Sequence, residues 1–410
     1  MNQKFIPTLN SINLFSALLL TASLIYPFPM QRWLIAFFFT SYVIEFFAEK
    51  KWQSIQINKT RIFYLIVASF ILLGFIYYPF EKTHIYFGWL IQKRFALFGF
   101  ACVGFFGVNN KYKLSYFLNT FIISSIVSIF YILFIRVGLM EFISNPQRFE
   151  IFNTDRNNYV NMHRVFNLNL NISLIGIWYI LSKSWRQVVL WKKWLYFAAS
   201  IVIFFTLLIS EGRSGFIAGL FLLLIIVFNE IRKKKKIIGI ILSIIVVLTT
   251  LVVAINHQGM SEKSFEAENR LFLWKSAFSV IKESPIIGQG ISDAQVHFDE
   301  ARKIYQTEEY RLFFINCKVL DSHNQFLQTI MEFGLFGLLI LIFIYIFPPI
   351  IADKGRKLFS VMLMFLCILQ SMFDPFINGP FASIFGLLLV LILTVKDDIN
   401  LKTSKTRINK

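Results

Sequence analysis

Three residues in the second half of the chain could act together on an anionic substrate. Arg213 lies in the turn Ser210–Gly215, Arg270 opens an amphipathic segment, and His323 precedes an apolar run. Guanidinium groups bind phosphate oxygens through paired hydrogen bonds, and a neutral imidazole accepts a proton from a hydroxyl group. Two arginines and a histidine therefore suit a reaction in which a diphosphate leaves and a hydroxyl attacks.

Arg213 is followed by Ser214 and Gly215, so the chain can turn tightly and an anion could approach a helix N-terminus there. An arginine that touches lipid headgroups explains this residue equally well.

Arg270 falls on the apolar side of its segment at 100° per residue. One stripe holds Leu273, Trp274, Ala277, Phe278, Val280 and Ile281, and the opposite side holds Lys275, Ser276, Ser279 and Lys282. A charge on the packed side needs an anionic partner, which is either a carboxylate such as Glu211 or a ligand phosphate. Alternatively, Arg270 extends outward from a first turn. Trp274 is a further candidate for substrate binding.

His323 follows Asp321 and Ser322, which are both good N-cap residues for the apolar run that begins here. Its position at a helix N-terminus favours the neutral imidazole. Asn324 could bond sugar hydroxyls, and Asp321 is a further binding candidate. A plain capping histidine is the alternative interpretation.

Residues of lower priority lie in an earlier polar segment, 138–165, where His163 and Arg164 immediately precede an apolar run. They are candidates for binding donor or acceptor, although a solvated loop is the simpler interpretation. The nearest approach to a metal site is His297-Phe-Asp299-Glu300, and we expect neither a metal nor another cofactor. The three cysteines indicate no disulfide framework.

The elements that must position these residues are apolar runs of membrane-spanning length. The chain is 56% hydrophobic and only 16% charged, which is typical of an integral membrane protein and not of a soluble one. We predict an all-α membrane protein, one domain over 1–410, with about 12 spans. The spans are near 10–27, 31–48, 62–79, 95–109, 114–137, 166–182, 194–210, 213–229, 237–255, 324–348, 358–374 and 380–395.

Basic residues orient these spans. Most of the 41 lysines and arginines fall in the short segments on one side, which predicts that both termini are cytoplasmic. The two long segments, 138–165 and 256–323, then lie outside, the second between spans 9 and 10 and containing amphipathic helices. The net charge of +18 reflects basic loops that face anionic lipid, and we expect no nucleic-acid partner. The first apolar run is interpreted as a span and not a cleaved signal peptide.

Three sequence runs resemble the O-antigen ligase and polymerase family of bacterial inner-membrane proteins. They are SEGRSG (210–215), NRLFLWKSAFSVIKESPIIGQGISD (269–293) and DSHNQFLQTIMEFGLFGLLIL (321–341). The resemblance is detailed over 210–341 and extends elsewhere only to the layout of spans, about a dozen with a long late periplasmic loop.

The resemblance implies a glycosyltransferase that moves a glycan from undecaprenyl diphosphate at the periplasmic face, without nucleotide sugar or metal. The acceptor is lipid A–core in ligases and a second lipid-linked glycan in polymerases, and other polysaccharide-assembly proteins are expected partners. Arg213 and Arg270 match the arginines that engage the diphosphate, and His323 matches the histidine at the acceptor hydroxyl. The paired arginine-rich loop motifs described for polymerases are absent from both long loops, which favours a ligase.

Two other classes stay open. A glycan-lipid transporter should carry charged residues in mid-span, and the predicted spans hold few. A non-catalytic scaffold for polysaccharide assembly would give Arg213, Arg270 and His323 no reason to lie together.

Overall fold

The computed structural model describes residues 5–26, 28–137, 163–185, 187–210, 213–232, 265–305 and 321–399. These ranges are helical, with a single isolated β-bridge between Lys113 and Lys396. The helices are α1 (Phe5–Ser23), α2 (Phe28–Ala48), α3 (Lys59–Tyr77), α4 (Phe87–Gln92), α5 (Phe95–Phe106), α6 (Leu114–Tyr131), α7 (His163–Ser184), α8 (Leu190–Ile209), α9 (Arg213–Arg232), α10 (Phe265–Glu283), α11 (Ile291–Tyr305), α12 (Gln325–Ile351), α13 (Lys357–Ser371) and α14 (Gly379–Leu393). The predicted all-helical class is confirmed for the described residues.

Six of these helices are long and apolar enough to cross a membrane. The segments are Ile6–Ser23, Lys59–Phe80, Leu114–Phe134, Arg164–Ser184, Leu190–Leu208 and Gln325–Ile351. Four shorter apolar helices accompany them, at Phe95–Phe106, Gly215–Asn229, Lys357–Ser371 and Gly379–Leu393. The protein is therefore a membrane protein. The number 12 stays a prediction, because the predicted span 237–255 lies outside the described residues.

Side-chain contacts show which helix ends lie together. At one end of the bundle, Arg164 in the first turn of α7 pairs with Asp374, just after α13. At the other end, the Tyr64 hydroxyl of α3 donates to the Leu389 carbonyl of α14 at 2.9 Å. We call the first the loop end; it also carries the α4–α5 connection, α10 and α11. The predicted polar segment 256–323 thus contains two helices at the loop end.

The long helix α12 is broken at Gly334, whose φ of 63° and ψ of −161° are nearly exclusive to glycine. The connection between α10 and α11 fills the break. The Leu335 N–H donates to the Pro285 carbonyl at 2.9 Å, and the Phe336 N–H donates to the Ile286 carbonyl at 3.4 Å. Backbone groups that the broken helix cannot pair are therefore satisfied by another segment.

The same connection bonds α12 one turn before the break. The Gln289 and Gly290 N–H groups donate to the carbonyls of Met331 and Glu332, both at 2.9 Å. A Cβ at Gly288 would lie 2.5 Å from the Glu332 carbonyl carbon, so a side chain there is excluded. The Gly288-Gln-Gly290 pattern is thus explained by close backbone contact between two helical elements.

A small apolar cluster attaches α10 and α11 to α12. Its members are Phe272, Leu273, Ala277, Val280, Ala294, Phe298, Ala301, Leu327 and Met331. Glu81, before α4, caps α11 from outside by accepting from the Ser292 N–H at 2.9 Å. In return, the Asp293 carboxylate accepts from the Thr83 N–H at 2.9 Å. These contacts fix α10, and with it Arg270, relative to the bundle.

Two details of the predicted amphipathic segment are wrong. The helix begins at Phe265 and not at Arg270. Phe278 was assigned to the apolar stripe but is 53% exposed, whereas Ser276 from the polar side is fully buried. The Ser276 hydroxyl donates to the Phe272 carbonyl at 3.0 Å, which allows its burial without an unsatisfied group.

The predicted boundaries of two spans also shift. α7 begins at His163 and so takes in Arg164, three residues before the predicted start at 166, because the Arg164 charge has a carboxylate partner in Asp374. The short span predicted over 95–109 is α5, and α4 is a separate helix before it.

Substitution of Gly334 by alanine should destabilise the fold. The backbone conformation alone costs an alanine about 1–3 kcal/mol, and its Cβ would lie 2.1 Å from the Ile286 carbonyl oxygen. We expect a lower melting temperature for the detergent-solubilised protein. Gly88→Ala is the matched control, because a Cβ at Gly88 meets nothing within 4 Å. Equal melting of the two variants would contradict the proposed docking.

Candidate active site

A buried carboxylate organises the loop end. Asp374 is 2% exposed and forms an ion pair with the Arg164 guanidinium, while its second oxygen accepts from the Gln370 side chain. Burial raises the pKa of Asp374 to about 6, against the lowering influence of Arg164. Asp321 raises this pKa further and Arg270 lowers it, so Arg164, Asp321 and Arg270 all lie within electrostatic reach of Asp374.

His323 is held between two of these groups. Its Nδ1 lies 3.2 Å from Arg164 Nη1 and 3.2 Å from Asp321 Oδ1. Its backbone has a φ of 46°, uncommon for a residue with a side chain, and its N–H donates to Asp321 Oδ1 at 3.0 Å. Asp321 therefore fixes both the backbone and the ring of His323.

The two contacts suit different protonation states of His323. Arginine can only donate, so it bonds an Nδ1 that carries no proton, whereas an Nδ1 that carries one can donate to Asp321. The site thus offers a partner to the imidazole before and after it gains a proton. Such a setting is suited to general base chemistry.

Arg270, from α10, lies in the same corner of the loop end as Asp374, Arg164 and His323. Its guanidinium carbon lies 5.2 Å from the centre of the Phe373 ring, and Phe373 immediately precedes Asp374. A cation over an aromatic face is stabilised by the ring quadrupole. The structure therefore brings Arg270, Arg164 and His323 together around Asp374.

The helix cap at this corner differs from the prediction. Asn324, and neither Asp321 nor Ser322, caps α12, because Asn324 Oδ1 accepts from the Leu327 N–H at 3.0 Å. Its Nδ2 donates to the Met372 carbonyl at 3.2 Å. The amide thus ties the start of α12 to the turn that carries Asp374, and its predicted contact with sugar hydroxyls stays a prediction.

The remaining predicted residues are placed only in part. His163 and Arg213 are the first residues of α7 and α9, but their side chains, and the whole of Glu211, lie outside the described residues. Gly215 contacts α7, since a Cβ added at Gly215 would lie 2.4 Å from the Asn167 Cβ. The start of α9 is therefore beside the turn of α7 that carries Arg164.

Trp274, one turn after Arg270, is partly buried against the apolar cluster of α10, α11 and α12. Two residues of the His297–Glu300 run pair with other side chains: His297 Nδ1 lies 2.7 Å from Glu283, and Asp299 pairs with Arg302 at 3.4 Å. Within the ranges that the structure describes, no group of three His, Cys, Asp or Glu residues is placed to hold a metal ion.

Sequence reasoning missed the central role of Asp374. The signal is the run Phe373-Asp374-Pro375 between two apolar segments, where a lone charge is costly without a partner. A partner for Arg164 could have been sought there, but nothing in the sequence pairs the two residues.

The high pKa of Asp374 predicts a stability change with pH. The folded pKa of about 6 exceeds the value near 4 of an unfolded aspartate, so the folded state binds the proton more tightly. The stability from this group is complete below pH 4 and is lost as the pH rises to about 6.

Asp374→Asn should therefore remove part of the change in melting temperature between pH 4 and pH 6. Asp353→Asn is the control, since Asp353 also pairs with an arginine but is 75% exposed. An unchanged pH profile in the Asp374 variant would show that this carboxyl does not titrate in the folded protein as described.

Comparison with known proteins concerns the second half of the chain. The model of the family described as O-antigen ligase matches residues 198–342. No curated protein sequence matches the chain. The matched region runs from α8 to the first part of α12 and includes Arg213, Arg270 and His323, whereas Arg164 and Asp374 lie outside it. Residues 198–342 are therefore similar to the O-antigen ligase family, as the sequence motifs predict.

Proposed function

We propose that this protein transfers a glycan from undecaprenyl diphosphate to an acceptor hydroxyl at the periplasmic face of the bacterial inner membrane. Members of the matched family are glycosyltransferase-like enzymes of the O-antigen ligase and polymerase type. The observation that carries the proposal is the convergence of Arg164, Arg270 and His323 around Asp374. This corner combines anion-binding groups with a group that can accept a proton.

In the proposed reaction, the acceptor oxygen bonds to the anomeric carbon as the bond from that carbon to the diphosphate oxygen breaks. The electron pair of the broken bond stays on the diphosphate, and the hydroxyl proton passes to the His323 imidazole. A single displacement of this kind inverts the anomeric configuration. The arginines neutralise the leaving diphosphate, so the proposal needs no metal ion.

Each charged residue has a distinct part. Arg270 and Arg213 bind the diphosphate. Arg270 lies over Phe373 at the edge of the corner. Asp321, 3.2 Å from His323 Nδ1, stabilises the imidazolium that forms. Asp374 positions Arg164 through their ion pair and is ionised at neutral pH, because its pKa is about 6.

The position at a membrane surface is supported by exposed apolar side chains beside the break in α12. Ile286, Ile287, Leu335 and Phe336 are each more than half exposed, which suits contact with lipid. Among the connections that the structure describes, those at the opposite end of the bundle hold most of the basic residues. This supports a cytoplasmic assignment for that end and a periplasmic one for the loop end.

The proposed acceptor is lipid A–core, as for a ligase, and the alternative acceptor is a second lipid-linked glycan, as for a polymerase. The same geometry serves both, since each offers a sugar hydroxyl to His323. A ligase and a polymerase would therefore differ here in the acceptor and not in the chemistry of the site.

Removal of the reacting groups should abolish transfer without loss of protein. We expect Arg270→Ala and His323→Ala to lower the turnover by about 100-fold or more, as for removal of a transition-state partner. The measurement is glycan transfer by membranes that contain equal amounts of each variant. Lys275→Ala, on the exposed side of the same helix, is the control and should retain activity. Normal transfer by the Arg270 variant would refute this site.

The acceptor is tested with purified protein and a defined lipid-linked glycan. Addition of lipid A–core should yield a glycosylated lipid A–core if the ligase assignment is correct. Product of doubled and longer glycan length in the absence of lipid A–core would instead assign the protein as a polymerase. Absence of both products, with an intact donor, would contradict the proposed transferase activity.

A further inference from the structure

Lys93 lies in the two-residue break between α4 and α5, far in sequence from the matched family region. Its carbonyl accepts from the Gly379 N–H at 3.0 Å, and the next residue, Arg94, donates to Asn378 Oδ1 at 2.9 Å. Gly379 begins α14, directly after the turn that carries Asp374. The break is therefore fastened to the same corner of the bundle as the proposed active site.

The Lys93 ammonium group is half-buried and lies 3.2 Å from the centre of the Trp89 ring. Burial lowers the pKa of Lys93 to about 8; Asp321 raises it and Arg94 lowers it further. The ammonium is thus within electrostatic reach of Asp321, the carboxylate that holds His323. Lys93 and His323 thus share Asp321 as a neighbouring charge.

The neighbouring cations differ from Lys93 in having carboxylate partners. Arg94 is paired with the buried Glu332 at 2.6 Å, and Arg164 is paired with Asp374. In the described part of the chain, Lys93 makes no ion pair within 4 Å, and only the ring of Trp89 contacts its charge. Holding a half-buried ammonium in this way costs stability, which is typical of a residue placed for a ligand.

We propose that Lys93 binds a phosphate group of a substrate at the proposed active site. A compact ammonium suits a phosphate oxygen as a point charge. The phosphate belongs either to the diphosphate of the lipid-linked donor or to the phosphorylated lipid A–core. This assignment rests on the proposed function, and it adds a binding residue from outside residues 198–342.

The test is direct binding to the purified full-length protein in lipid nanodiscs, with two probes measured separately. The probes are undecaprenyl diphosphate without glycan and phosphorylated lipid A–core. Lys93→Gln should weaken the binding of one probe by about tenfold, the order expected for one lost charge-assisted hydrogen bond. The probe that loses affinity identifies the source of the phosphate.

Two further variants control this result. Lys93→Arg keeps the charge and should bind the affected probe nearly as well as the natural protein. Lys82→Gln removes an exposed lysine from the connection before α4 and should change neither affinity. Unaltered affinity of Lys93→Gln for both probes would overturn the proposal.

A pH series distinguishes a role of the Lys93 charge from a purely structural role of its side chain. Between pH 7 and pH 9 the protonated fraction of a lysine with a pKa of about 8 falls by about tenfold. The affinity of the natural protein for the affected probe should fall with it, whereas Lys93→Arg should keep its affinity. A parallel fall in both proteins would contradict a role for the Lys93 charge.

The result is independent of the test of the transferase activity. If Arg270→Ala retains full transfer, the proposed function fails whatever Lys93 does. If Arg270→Ala is inactive and Lys93→Gln binds both probes normally, only the assignment of Lys93 fails.

Discussion

The break in α12 at Gly334 is the constraint on which the loop end depends. A helix interrupted near a membrane surface exposes backbone groups that lipid cannot satisfy. The connection between α10 and α11 supplies the missing partners through four backbone hydrogen bonds to residues 331–336. This attachment gives α10 a fixed position, and Arg270 can reach Phe373 only because the following connection is anchored to α12.

A second constraint is the cost of charge in this setting. Asp374 and Glu332 are buried, and each is matched by an arginine from a different part of the chain, Arg164 and Arg94. Breaking such a pair by removing one partner is expensive, on the order of 3–5 kcal/mol. One pair joins α7 to the α13–α14 turn, and the other joins the α4–α5 connection to α12. Helix termini at the loop end are thereby held together.

The sequence predicted the helical membrane class, most helix positions and the motifs that carry the family resemblance. Those features follow from local signals, which are apolar runs, N-cap residues and short motifs with a fixed order of residues. It could not predict that Asp374 joins Arg164 to the corner of Arg270 and His323, because that pairing spans 210 residues and leaves no periodic trace. It assigned the cap to Asp321 and Ser322, whereas Asn324 forms it, since all three residue types cap helices equally well.

In the proposed reaction, an arginine from the 256–323 segment and a histidine at the start of α12 serve one substrate. This proposal is tested most directly by a cryo-EM map of the protein in lipid nanodiscs with undecaprenyl diphosphate bound. We expect diphosphate oxygens about 3 Å from the Arg270 guanidinium, in the corner between Phe373 and His323. Diphosphate bound elsewhere, with Arg270 still over Phe373 and no contact between them, would contradict it.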